Sequence, residues 1–173
     1  MISPKMQNVM NEQIKHETFS AYLYFSMAAY FHSKSLDGMA QWMKAQAQEE
    51  FGHALRFFNH INDRGGRIEL QALEKPQAEW ESPIAAFKAA LDHEEFITAK
   101  INDLAKLADE ENDRAAGIML QWFVTEQVEE EDSVSTVIDM LDLVSDSGHG
   151  ILMADRELGT RVAGPILPPE EAA

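Results

Sequence analysis

Apolar residues recur at steps of three and four along four long stretches of the chain, the period of an α-helix with one buried face. Leu120, Phe123, Gln127, Glu130, Val134, Val137 and Leu141 form one such stripe. Trp42, Gln46, Glu50, His53, Phe57 and His60 form a second, and Met10, Gln13, Glu17, Ser20 and Tyr24 a third. The fourth is Phe87, Leu91, Glu94, Ile97, Ile101 and Leu104. Start and stop signals bracket them. Ser3-Pro4 and Ser82-Pro83 each pair a helix-capping side chain with a proline suited to the first helical position. Gly65-Gly66 ends one helix and Asn112-Asp113 another. Helices are expected over 4–32, 37–64, 83–110 and 114–144. Ser147 to Gly150 punctuates the chain, and a short amphipathic helix is expected over 151–158.

Helices of nearly thirty residues are about 40 Å long at 1.5 Å per residue. Four of them predict an all-α, four-helix bundle. The first and second are joined closely, as are the third and fourth, so each pair is a hairpin. The connection over 67–81 is long and contains Pro76. Extended, it can run the length of the bundle and leave the second and third helices parallel. One bundle domain over 1–160 is expected, followed by a loose tail over 161–173 that is rich in Pro, Glu and Ala.

Each stripe carries one carboxylate near its middle: Glu17, Glu50, Glu94 and Glu130. A single Glu on an apolar face is ordinarily a fringe residue reaching for water. Four at matching depth in four helices are a different matter. Ionised carboxylates buried together cost many kcal/mol unless a cation joins them. Glu50 and His53 are three residues apart and project from adjacent turns. Four Glu and one His, without thiolate, suit iron or manganese, with zinc as a competitor. A Glu-x-x-His pair with single Glu residues from other helices is the spacing of di-metal carboxylate bundles. Glu50, central and beside His53, is the best candidate to bridge two ions.

Composition narrows the rest. The 173 residues contain no cysteine, which excludes disulfides, thiolate metal sites and a cysteine nucleophile. The net charge of −16 disfavours nucleic acid and attracts cations. No apolar run approaches the roughly 20 residues that span a bilayer. The opening residues lack the basic and apolar segments of a secretory signal, so a cytoplasmic location is expected.

The chain resembles the bacterial non-haem ferritins over most of its length. The most specific pieces are Ala47-Gln48-Glu49-Glu50 with His53, Leu120-Gln121-Trp122, Glu126-Gln127, and Glu129-Glu130-Glu131. Asn11-Glu12-Gln13 with Glu17 and Tyr24 adds the first helix. The resemblance implies ferroxidase chemistry: Fe²⁺ is oxidised to Fe³⁺ by O₂ or H₂O₂ at a di-iron centre within one subunit. It implies that Glu17, Glu50 and His53 bind the first iron, and that Glu50, Glu94 and Glu130 bind the second. Gln127 would hydrogen-bond nearby, and Tyr24 would stand beside the centre. A third iron position would use Glu49, Glu126 and Glu129 with Glu130 shared. The resemblance further implies a shell of 24 subunits enclosing ferric mineral. The apolar Ile151, Leu152 and Met153 are consistent with burial of the short helix at a symmetry axis of that shell. Bacterioferritins differ in carrying a second Glu-x-x-His, where this chain has Gln127 and Glu130. Their haem-binding Met follows the bridging Glu, where this chain has Phe51, so no haem is expected. His16, His32, His60, His93 and His149 have no such spacing and are assigned to packing or surface.

Overall fold

In the computed structural model, which describes residues 1–145 and 147–166, Ser3 accepts a hydrogen bond from the Met6 amide at 3.0 Å. With Pro4 in the first turn, it starts α1, Pro4–Ser33. Three further long helices follow: α2, Asp37–Asp63; α3, Pro83–Glu110; and α4, Arg114–Val144. Ser82 caps α3 through the Ala85 amide at 3.2 Å. Asp113 caps α4 through Ala116 at 3.1 Å. Asp113 also receives Arg64 at 3.0 Å, which ties the end of α2 to the start of α4. The chain is all-α: the described residues contain five helices and no strand.

The fifth helix, α5, spans Gly148–Leu158 and so begins three residues earlier than the periodicity indicates. Ser147 caps it by accepting from the Gly150 amide at 3.2 Å. The Ser-Gly-His-Gly run is therefore the cap and first turn, where glycine costs least, rather than a break before the helix. The α5 helix packs on α2 and α4. Its close approach to α2 requires Gly38, where a Cβ would lie 1.6 Å from the Asp155 carbonyl oxygen. Leu36 gives α2 no side-chain cap. Asp155 supplies one from α5, accepting from the Met39 amide at 2.8 Å.

The long connection between α2 and α3 is extended and lies along α1. Asn11 holds both sides of its beginning, donating to the Arg67 carbonyl at 3.0 Å and accepting from the Glu69 amide at 2.9 Å. Further along, Ser26 donates to the Gln77 carbonyl at 2.6 Å. Trp80 then packs on Tyr30 with ring centroids 5.3 Å apart. The connection thus crosses the length of the bundle, and α3 starts beside the end of α1. Helices α2 and α3 are parallel, as the sequence pattern indicates.

Two apolar clusters fill the bundle. One contains Met6, Met10, Phe57, Ile97, Leu120 and Phe123. The other contains Met27, Phe31, Met43, Phe87, Val134 and Leu141. Between them, at mid-length, lies a layer of buried polar side chains: Gln13, Glu17, Gln46, Glu50, His53, Glu94, Gln127 and Glu130.

Candidate metal centre

The four mid-helix carboxylates meet in that layer. Glu17 and Glu94 are 0% exposed, Glu50 1% and Glu130 4%, and His53 is 4% exposed. Each comes from the apolar stripe of its own helix, so the fold that buries the stripes also brings the acids together. Glu17, Glu50 and His53 offer ligand atoms within 4.8 Å of one another. His53 Nδ1 lies 3.5 Å from Glu50 Oε2 and 4.0 Å from Glu17 Oε2.

Hydrogen bonds orient the outer edges of these groups. Gln13 donates to Glu17 Oε1 at 2.8 Å, and Gln46 donates to Glu130 Oε2 at 2.7 Å. The Tyr24 hydroxyl donates to Glu94 Oε1. The Gln127 amide reaches Glu94 Oε2 at 3.5 Å and Thr98 Oγ1 at 3.2 Å. Thr98 in turn donates to Glu131 Oε1 at 2.5 Å, which pins the Gln127 amide from its far side.

The inner atoms have no such partners. Both oxygens of Glu50, Oε2 of Glu17 and Nδ1 of His53 are buried without a hydrogen bond. Buried polar atoms are nearly always paired, so four orphans facing one another point to a ligand that accepts lone pairs. A divalent cation has that chemistry, and oxygen donors with one imidazole suit a first-row metal.

The electrostatics agree. Burial raises the Glu50 carboxyl well above the usual carboxylate range, and the charges of Glu94, Glu17 and Glu130 add to the effect. Burial pushes Glu94 up to about 7, although hydrogen bonds from Tyr24 and Gln127 oppose it. Burial and the Glu94 charge push Glu130 up to about 7, against His53 and Gln46. Glu17 is raised by burial and partly relieved by His53 and Gln13. The Tyr24 hydroxyl is raised well above 10 by burial and by the Glu94 charge, so it stays a donor. These acids resist ionisation by one another, and a cation among them removes that resistance.

The further acids named from the sequence divide. Glu126, half-buried, converges with His53 and Glu130 within 4.8 Å. Glu49 instead pairs with Arg161 at 2.5 Å. Glu129 is exposed and joins neither metal-capable group among the described residues. Trp122 stands edge-on to His53 with centroids 5.5 Å apart, and the Arg56 guanidinium lies 3.6 Å from its ring. The sequence reading gave no role to Gln13, Gln46, Thr98 or Arg161. The two glutamines were visible as polar residues on apolar stripes. Thr98 and Arg161 act through contacts between helices and left no periodic signal.

The ferritin-like domain family matches residues 7–144. The chain is 36% identical over 161 residues to the bacterial non-heme ferritin of Staphylococcus aureus (strain MRSA252), covering 93% of this chain and 97% of that one. It is 38% identical to the bacterial non-heme ferritin of Bacteroides fragilis (strain 638R), covering 93% and 100%. Among solved structures, an open pore ferritin from the hyperthermophilic archaeon Archaeoglobus fulgidus superposes with a TM-score of 0.93 at 44% identity, covering 94% of this chain and 100% of that one. A humanized archaeal ferritin gives 0.94 at 45% identity, covering 95% and 100%. The fold, the mid-bundle carboxylates and relatives that match nearly end to end lead to one conclusion: this chain belongs to the ferritin family.

Proposed function

We propose that the chain is an iron-storage ferroxidase that oxidises Fe²⁺ at the mid-bundle centre and passes Fe³⁺ to a mineral inside a protein shell. The observation that carries this reading is the set of orphaned, buried ligand atoms on Glu17, Glu50 and His53, with Glu94 and Glu130 completing the layer. Iron is the substrate. Glu17, Glu50 and His53 take one Fe²⁺, and Glu50, Glu94 and Glu130 take the other. Each Fe²⁺ gives up one electron. One O₂ accepts both, with two protons, and becomes H₂O₂. H₂O₂ can serve as the oxidant in its turn.

The protein's own contribution is to hold two ions close together and away from bulk water. Gln13, Gln46, Gln127 and Tyr24 fix the carboxylates, so little reorganisation is needed as charge changes. Glu126, beside His53 and Glu130, begins the way out. Glu49 and Glu129 extend it as a third iron position. A hollow shell of 24 subunits in the cytoplasm is the container this reading requires. Exposed Leu152 and Met153 on α5 are available for contact between subunits. No helix among the described residues is long and apolar enough to cross a membrane.

The test mixes the purified protein with Fe²⁺ in air. The expected result is a fast phase that consumes two Fe²⁺ per subunit, then slow growth of mineral absorbance. Identical oxidation by the native protein and by His53→Ala would overturn the assignment.

A further inference from the structure

We propose that Arg161 is a tethered cation that competes with metal ions for Glu49 and so keeps the third iron position weak. This rests on the ferroxidase reading above and deepens it. Arg161 lies three residues beyond Leu158, the last residue of α5. Its amide donates to the Leu158 carbonyl at 3.3 Å, which fixes where the side chain starts. The guanidinium reaches Glu49 Oε2 at 2.5 Å and lies 4.5 Å from the centroid of the Trp42 ring. The Arg161 and Glu49 side chains are only 22% and 26% exposed, so the pair is more strongly coupled than a freely solvated one.

The segment beyond Arg161 is held as well. Gln48, next to Glu49, donates to the Gly164 carbonyl at 2.7 Å. At Gly52 a Cβ would lie 2.2 Å from the Ile166 carbonyl oxygen, so α2 is shaped to let the chain pass there. Residues 161–166 therefore form a strap along α2 beside Gln48, Glu49 and Gly52. Residues 167–173 lie outside the described residues.

Glu49 directly precedes Glu50 in α2. Burial raises the carboxyls of Glu126 and Glu130, and the Glu49 charge adds to both, which places it within electrostatic reach of each. An ion shared by Glu49 and Glu126 would sit a few ångströms from the guanidinium. Two cations at that range repel each other, the more so where water is partly excluded. Either the ion is weakly held or Arg161 swings away. A weakly held third ion moves on, as a transit position requires, whereas a tightly held one would block the exit.

The test titrates Zn²⁺, which is redox-inert, into the assembled full-length protein and into Arg161→Gln, Glu49→Gln and the double variant, by calorimetry. Gln keeps a planar polar group near Trp42 and removes the charge. The third equivalent is expected to bind about fivefold tighter or more in Arg161→Gln, the usual floor for competition between linked sites. That gain should vanish when Glu49→Gln is added. An unchanged or weaker third equivalent in Arg161→Gln overturns the proposal. A second measurement needs no variant: anomalous diffraction at rising Zn²⁺ should show Arg161 leaving Glu49 as metal arrives. Zinc on Glu49 with the Arg161 bond intact overturns it equally. The two readings fail differently. The di-metal centre fails on the first two equivalents, and the Arg161 role on the third alone.

Discussion

Glu50 Oε2 and His53 Nδ1 lie 3.5 Å apart on successive turns of α2, and neither atom has a hydrogen-bond partner. Two buried ligand atoms so placed are costly to the fold and useful to a cation. The same residue should therefore oppose stability and sustain activity. Glu50→Gln removes a carboxyl that burial and three acidic neighbours hold far above its ordinary range. The metal-free variant is expected to be more stable than the native protein by about 1–4 kcal/mol near neutral pH, the range seen when buried ionic groups are replaced by neutral ones. Its Fe²⁺ oxidation rate should fall by about a hundredfold or more, since even groups that only support metal ligands are worth roughly 10–100-fold. Thermal unfolding and stopped-flow absorbance measure the two effects.

Stability should depend on pH in an unusual direction. The Glu94 and Glu130 carboxyls stand at about 7 in the folded protein, against 4.5 for an ordinary Glu. The folded state then holds more protons than the unfolded state between those values. Stability from these groups is full below about pH 4.5 and is lost as pH rises through about 7. Metal-free protein is expected to melt at a lower temperature at pH 8 than at pH 6. Zn²⁺ displaces the same protons, so its stabilising effect should grow over that interval. Calorimetric melts with and without Zn²⁺ check both trends.

Tyr24 separates positioning from binding. Its hydroxyl donates to Glu94, and the residue is fully buried. Tyr24→Phe leaves that carboxylate one donor short. A loss of about 1–2 kcal/mol in stability is expected. The two tight metal equivalents should remain, while the oxidation rate drops. Loss of metal stoichiometry in this variant would show that Tyr24 is needed to build the centre as well as to orient it.

The α5 helix depends on Gly38 in the same local way. A methyl group there meets the Asp155 carbonyl at 1.6 Å, and Asp155 also caps α2 through Met39. Gly38→Ala is expected to cost about 1–3 kcal/mol through overpacking and to disturb assembly, read by size-exclusion chromatography. The di-metal equivalents, half a bundle away along α2, should survive in the subunits that fold.

These residues also show what a sequence reveals. Glu17, Glu50, Glu94 and Glu130 were legible because each interrupts an apolar stripe, and helical period alone places them inward. Ser3 and Ser82 were legible because caps act within a few residues, whereas Asp113 reads in the sequence as a break and proves to cap α4. Ser147 was misread because glycines on either side of His149 suggest a break, whereas the serine caps a helix that starts among them. The Asp155 cap on α2 and the Arg161 pair with Glu49 span more than a hundred residues of sequence. No local pattern marks such contacts, and they appear only once α5 is docked. The path of the long connection was legible in its length but not in its anchors, since Asn11 and Ser26 hold it through side chains that period counting leaves unassigned.

The central claim is that four helices bring their interior glutamates together to hold a pair of metal ions. Anomalous diffraction at the iron edge, on crystals soaked anaerobically in Fe²⁺, tests it most directly. Two peaks per subunit are predicted, one bounded by Glu17, Glu50 and His53 and the other by Glu50, Glu94 and Glu130. Iron confined to exposed acids, with none in the mid-bundle layer, would contradict the account.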